Sequence, residues 1–126
     1  MLNVLITGAN RGIGLAITEL ALKRGDKVVA TCRHPSSAKE LVALREGYLD
    51  RCEIVSLDVV NEDSLHDAAL KIKEHLDLLV CNAGVLNGYG GIMSAENTMD
   101  AFRDVLMTNV ASPFFTTRYF LPHLRN

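Results

Sequence analysis

Thr7-Gly8-Ala9-Asn10-Arg11-Gly12-Ile13-Gly14 places three glycines within seven residues, directly after an apolar run at residues 2–6 and directly before a helical pattern. Glycine lets the chain turn tightly and lets backbone approach a ligand with no Cβ in between, and the unpaired N–H groups that open the helix face the turn. Such a helix start attracts an anion, and a pyrophosphate suits it. The spacing is G-x-x-x-G-x-G rather than G-x-G-x-x-G or G-x-x-x-x-G-K-[ST], and no lysine follows, so nucleotide hydrolysis is a poor match. Further polar residues stand where other apolar runs end: Cys32-Arg33, Asp58-Val59 and Asn82-Ala83-Gly84. Alone, a glycine turn also suits a purely structural bend, and Asp58 or Asn82 alone suits an ordinary strand-end turn.

The elements that position these residues follow from periodicity. Strands are expected at residues 2–6, 27–31, 53–57 and 78–81. Ile13, Ala16, Ile17, Leu20 and Ala21 recur at helical spacing, which predicts a first helix with that stripe on the sheet and Gly25 as its stop. Pro35-Ser36-Ser37 is a turn, and Ser37 with Glu40 reads as a capping box for a helix through about Glu46, with Ala38, Leu41, Val42 and Leu44 on its apolar side. Asn61 is placed to cap a third helix with Leu65, Ala68, Ala69, Ile72 and Leu76 on one stripe. Residues 85–97, with Gly88, Gly90 and Gly91, read as a mobile loop. A long helix is expected over residues 99–124, with Phe102, Val105, Leu106, Val110, Phe114 and Leu121 as its apolar positions. Alternating strands and helices predict a single α/β domain with a doubly wound parallel sheet and right-handed crossovers. Ligands of such sheets bind beyond the carboxyl ends of the strands, where the polar residues above gather.

Composition narrows the function classes. A chain of 126 residues, 48% hydrophobic with formal net charge −2, has the balance of one soluble domain. It has no basic run to hold nucleic acid or an anionic membrane surface, no apolar run long enough to span a bilayer, and no signal-peptide pattern, so a cytoplasmic location is expected. Cys32, Cys52 and Cys81 are odd in number and widely spaced, which argues against a disulfide framework and a zinc site and predicts buried reduced thiols. No metal site is expected.

Together these motifs resemble the short-chain dehydrogenase/reductase family over the whole chain. Thr7, Gly8, Gly12 and Gly14 resemble its coenzyme motif, with Asn10, Arg11 and Ile13 inside the same turn; Asp58-Val59 resembles its adenine-contacting pair, Asn82-Ala83-Gly84 its strand end, and Asn109 its catalytic helix asparagine. Cys81 departs from the pattern, where the family often has another asparagine. The resemblance implies a Rossmann-like sheet of order 3-2-1-4 and hydride transfer between a nicotinamide coenzyme and a small carbonyl or alcohol substrate. A carboxylate at the end of the second strand would bind the ribose 2'-hydroxyl and repel a 2'-phosphate. Cys32 stands there instead, followed by Arg33 and facing Arg11, so NADP(H) is expected over NAD(H). Pro113 lacks the N–H that would serve the carbonyl of Asn109, so a kink and a free acceptor for a water are expected there.

In the family a tyrosine hydroxyl is the acid/base, supported by a lysine four residues later and by a serine. Tyr48, Tyr89 and Tyr119 are followed at that spacing by Cys52, Met93 and His123, and the chain stops at Arg125-Asn126, where the strand bearing the serine is expected. The expectation is therefore the coenzyme-binding half of a longer NADP(H)-dependent oxidoreductase, inactive by itself, with the fourth strand as an open edge. A non-catalytic NADP(H)-binding sensor is the alternative. The family's pattern also implies a homo-oligomer through the helix 99–124.

Overall fold

The computed structural model describes residues 1–88 and 90–124. Tyr89, Arg125 and Asn126 lie outside the described residues. The strands β1 (Asn3–Ile6), β2 (Lys27–Cys32), β3 (Cys52–Ser56) and β4 (Leu78–Val80) pair in parallel in the order β3-β2-β1-β4. This is the doubly wound order expected. Val4 lies opposite Val28 and Leu78, and Leu5 opposite Val29 and Leu79.

Successive strand side chains point to opposite faces, so the central strands feed two cores. Val4 and Ile6 join Leu22 of α1 (Gly12–Arg24) and Leu41 of α2 (Lys39–Glu46) on one face. Leu5, Val29 and Val55 join Leu65 of α3 (Glu62–Lys71) and Phe120 of α5 (Ser112–Leu124) on the other. Each such side chain contributes about 1.5–3 kcal/mol of burial. Two-sided burial is the reason the strands read as continuous apolar runs. Asn61 caps α3 as expected, its side chain accepting from the Ser64 N–H at 3.0 Å.

Three local expectations are corrected. The buried face of α1 is Gly14, Thr18, Ala21 and Leu22, while Ile13 and Leu20 are 74% and 68% exposed. The helix is apolar on two sides, and the close seat of Gly14 on the turn decides which side goes in. Ser37 forms no capping box: residues Pro35–Ser37 make a 3₁₀ turn in which the Ser37 hydroxyl donates back to the His34 carbonyl at 3.1 Å, and α2 starts after Ala38 with no side-chain cap. The long helix is not one regular element but α4 (Met99–Leu106), a π-helical segment (Met107–Ala111) and α5. Its inward residues are Ser112, Thr116 and Phe120. Phe102, Leu106, Val110 and Phe114 instead form an exposed apolar stripe.

Cys32 and Cys52 are buried, whereas Cys81, just past β4 on the sheet edge, is exposed; all three are free thiols. Among the described residues no strand pairs with the outer edge of β4. No helix among them is long and apolar enough to cross a membrane.

Candidate functional site

The ends of β1 and β4 are stitched together by side chains. The Thr7 hydroxyl accepts from the backbone N–H groups of Asn82 and Ala83 at 3.0 and 3.1 Å. In return the Asn82 amide donates to the carbonyls of Thr7 and Gly8, both at 3.1 Å. Thr7 is 1% exposed, while its partners Asn82 and Ala83 are half-buried at the edge of the cleft. The clamp leaves no room at the crossing: a Cβ on Gly14 would run into the Gly8 carbonyl and the Asn82 amide. The turn is thus drawn down onto the sheet and α1 starts immediately above the strand ends.

That start is open to an anion. Arg11 occupies the N-cap with extended backbone and makes no side-chain cap hydrogen bond, and the first turn of α1 holds no acidic residue. The leading N–H groups therefore lack a side-chain acceptor and the positive end of the helix is not neutralised from within. Around it lies a cleft of about 410 Å³. Gly8, Asn10, Arg11 and Gly12 line it from the turn, Arg33 from beyond β2, Asp58 and Val59 from beyond β3, and Asn82, Ala83 and Gly84 from beyond β4.

Four expected site residues do not line the cleft. Thr7 and Gly14 are buried beneath it as clamp and seat, and the Ile13 side chain points to solvent. Asn109 makes a reciprocal pair with the backbone of Val85, donating from Nδ2 to the carbonyl and accepting at Oδ1 from the N–H, each at 2.8 Å. The kink expected at Pro113 takes the form of the π segment, where the Ser112 N–H reaches back to the Met107 carbonyl. In that register the amide missing at Pro113 would have served Thr108, whose carbonyl accepts from the Ser112 hydroxyl instead. The acceptor deprived by the proline is thus moved from Asn109 to Thr108.

The cleft also takes in His34, Ser37, Leu57, Val60, Val85 and Thr108. Each of these but Thr108 lies within a few residues of a strand end, which was the available signal; Thr108 is brought in by the π segment, for which periodicity carries no sign. Cys32 borders the cleft at the end of β2, 4% exposed, and burial pushes its thiol up. Asp58 is turned partly inward, its Oδ1 accepting from the Val60 N–H at 3.2 Å. Among the described residues no cluster of three or more His, Cys, Asp or Glu side chains is placed to hold a metal ion.

The family model for short chain dehydrogenase matches residues 2–126. The chain is 32% identical over 125 residues to the 2-(R)-hydroxypropyl-CoM dehydrogenase of Xanthobacter autotrophicus, covering 95% of this chain and 50% of that one. Its fold is similar to that of the NADPH-bound carbonyl reductase from chicken fatty liver, with TM-score 0.88 and 33% identity over 98% of this chain and 51% of that one. It is similar too to the closed form of a serine dehydrogenase complexed with NADP+, with TM-score 0.82 and 28% identity over 97% of this chain and 48% of that one. The chain spans about half the length of the curated relatives it matches.

Proposed function

The chain belongs to the short-chain dehydrogenase family, and from that premise we propose that its residues form the coenzyme-binding half of an NADP(H)-dependent oxidoreductase acting on a small carbonyl or alcohol. The carrying observation is the charge of the cleft beyond β2. Arg11 and Arg33 both border it, neither side chain has an ion-pair partner among the described residues, and Cys32 stands where a ribose-binding carboxylate would repel a phosphate. Guanidinium groups held unpaired in a cleft suit a phosphate monoester, which they meet with paired charge-assisted hydrogen bonds. The NADPH-bound and NADP+-bound structures of similar fold agree with this reading.

When bound, the coenzyme supplies hydride exchange with the substrate carbon. This chain's residues bind and orient it: the α1 N-terminus and Gly8 to Gly12 backbone take the pyrophosphate, Arg11 and Arg33 the 2'-phosphate, Asp58 and Val59 the adenine side, and Asn82 to Gly84 the floor. Thr7, Ile13 and Gly14 serve through the backbone of the turn, and Asn109 is the helix residue assigned to the catalytic side.

Among the described residues, neither Tyr48 nor Tyr119 is placed to supply the acid/base. The Tyr119 hydroxyl donates to Glu62 at 2.8 Å, and that carboxylate pushes its pKa up, away from the neutral range. Tyr48 lies under the Arg51 guanidinium, 5.2 Å from the ring centre. Coenzyme binding without turnover is therefore the activity assigned to these residues alone, in a cytoplasmic protein. The stripe of Phe102, Leu106, Val110 and Phe114 suits a homo-oligomer contact through the helix 99–124.

The test is Arg33→Asp. Titration by coenzyme fluorescence should show NADPH binding weakened at least about tenfold and NADH binding unchanged or improved, since a carboxylate repels the phosphate and suits the ribose hydroxyl. An unaltered NADPH-to-NADH affinity ratio overturns the assignment.

A further inference from the structure

We infer that His34 is a third, titratable ligand of the 2'-phosphate, so that the preference for NADP(H) over NAD(H) strengthens as pH falls through the neutral range. The inference rests on the NADP(H) reading of the cleft. His34 follows Arg33 directly and borders the same cleft as Arg11 and Arg33. Its place is fixed rather than incidental: its carbonyl accepts from both the N–H and the hydroxyl of Ser37, each at 3.1 Å, and Pro35 opens the 3₁₀ turn that follows. The contacts of its carbonyl with Ser37 hold this residue at the rim while its imidazole has no hydrogen-bond or ion-pair partner among the described residues. The other three histidines differ: His66 meets the Tyr119 ring edge-on at 6.3 Å, His75 lies 3.6 Å from Asp77, and His123 points at the carbonyls of Ala69 and Ile72.

Three basic side chains border one end of the cleft, and the charged group opposing them there is Asp58, one of whose oxygens is already bound to the Val60 N–H. Nearby on α2, Lys39 and Glu40 are solvent-exposed and offset one another. Arginine stays charged at every accessible pH, so Arg11 and Arg33 give a constant attraction. Imidazole is the side-chain type that gains or loses a proton around neutrality, and His34 is the cleft side chain of that type. The sign follows from linkage: a phosphate dianion beside the ring favours the imidazolium, so binding of the phosphorylated coenzyme takes up a proton at His34 and tightens as pH falls. The 2'-hydroxyl of the unphosphorylated coenzyme offers no such charge.

The experiment is calorimetric titration of the protein, wild type and His34→Gln, with NADP+ and NAD+ at pH 6.5 and 8.0, a window in which the coenzyme phosphate remains largely dianionic. The expected result is that His34→Gln weakens NADP+ binding about fivefold at pH 6.5 and less than twofold at pH 8.0, with NAD+ unaffected at both. His34→Arg should bind NADP+ as tightly at pH 8.0 as the wild type does at pH 6.5. Equal NADP+ affinities for wild type and His34→Gln at both pH values overturn the inference, as does an equal loss at both. Arg33→Ala is titrated alongside: if it loses NADP+ preference while His34→Gln does not, the histidine assignment alone fails, and if neither variant changes the preference, the NADP(H) reading fails with it.

Discussion

The carbonyl oxygen of Gly8 occupies the space that a Cβ on Gly14 would need. The first turn of α1 and the end of β1 are therefore in direct backbone contact, and the Asn82 amide closes the same space from β4. Gly14→Ala should push the turn off the sheet at a cost of about 1–3 kcal/mol, the usual range for overpacking. Gly12→Ala provides the contrast: its backbone is left-handed at φ +56 with nothing near the added carbon, so conformational strain of about 1–2 kcal/mol is its only cost. Urea unfolding reads the stability of both. NADPH titration should show the greater loss for Gly14→Ala, because that change displaces the N–H groups assigned to the pyrophosphate.

Thr7 holds the opposite side of that crossing. Thr7→Val keeps the shape and removes an acceptor shared by two part-buried N–H groups, those of Asn82 and Ala83, of which the Asn82 N–H also reaches the Val80 carbonyl at 3.0 Å. The expected destabilisation is about 1 kcal/mol, chiefly from the Ala83 donor left without a partner rather than from lost volume. Thr7→Ser restores the oxygen and should recover most of it in the same unfolding measurement. A loss for the serine variant with none for the valine variant would show that the methyl group, not the hydroxyl, matters at this position.

The site's outline could be read from the chain because its parts sit at strand ends, where an apolar run stops abruptly and a glycine, Asp58 or Asn82 follows. The sheet order was legible for a related reason: parallel strands buried on both faces leave unbroken runs such as Val28-Val29-Ala30, and the helices between them permit few connections. Helix faces were harder. The helices α1 and α5 are apolar on more than one side, so periodicity alone offers two candidate stripes, and the choice is made by tertiary contacts that the local sequence does not encode. For α1 that contact is Gly14 on Gly8. For α5 the inserted turn of the π segment rotates the chain beyond it, so a stripe counted continuously from Phe102 to Phe114 stays in solvent while Ser112, Thr116 and Phe120 turn inward.

Six residues of regular helix separate Phe114 from Phe120 in α5, which puts them on different sides and gives them opposite energetic weights. Phe120 is fully buried between α3 and the sheet, and Phe114 is 64% exposed. Phe120→Ala should cost about 3–5 kcal/mol by the transfer and cavity terms together. Phe114→Ala should stay within about 0.5 kcal/mol in the dilute monomer, as surface changes do. Chemical unfolding at low protein concentration measures both, and a large loss for Phe114→Ala under those conditions would contradict the burial described.

Asp26 should give the fold an acid-sensitive contact away from the cleft. Its carboxylate accepts from the Leu2 N–H at 2.9 Å, the main reason its pKa lies below the ordinary range, and it also pairs with Arg24, while burial acts in the opposite direction. The folded state thus binds this proton less readily than the unfolded one. Its stabilisation is complete above the unfolded carboxylate value, about 3.9, and is lost as pH falls through the lower folded value. Asp26→Asn should be less stable than wild type at pH 7, with the gap narrowing as pH drops below about 4. Urea midpoints measured across that span check the sign; a gap that widens in acid would refute it.

Asn109 and Val85 form the remaining link between the helical half of the cleft and the segment after β4. Both bonds of the pair go to one backbone unit, so the side chain acts as a short splint that fixes the chain where it leaves Gly84. A Cβ on Gly84 would lie 3.2 Å from the same Asn109 oxygen, so the splint and the strand end are packed against each other. Asn109→Ala removes both bonds and leaves Val85 to solvent, with a stability loss of about 1 kcal/mol because the site is exposed. The sharper readout is local: amide hydrogen exchange at Val85 should accelerate at least about tenfold while exchange in β1 and β2 is unchanged, the signature of a segment opening independently of the core. Asn109→Asp keeps the acceptor for the Val85 N–H and loses the donor, so it should retain most of the protection. Unchanged exchange at Val85 in Asn109→Ala would mean that something other than this amide holds the segment in place.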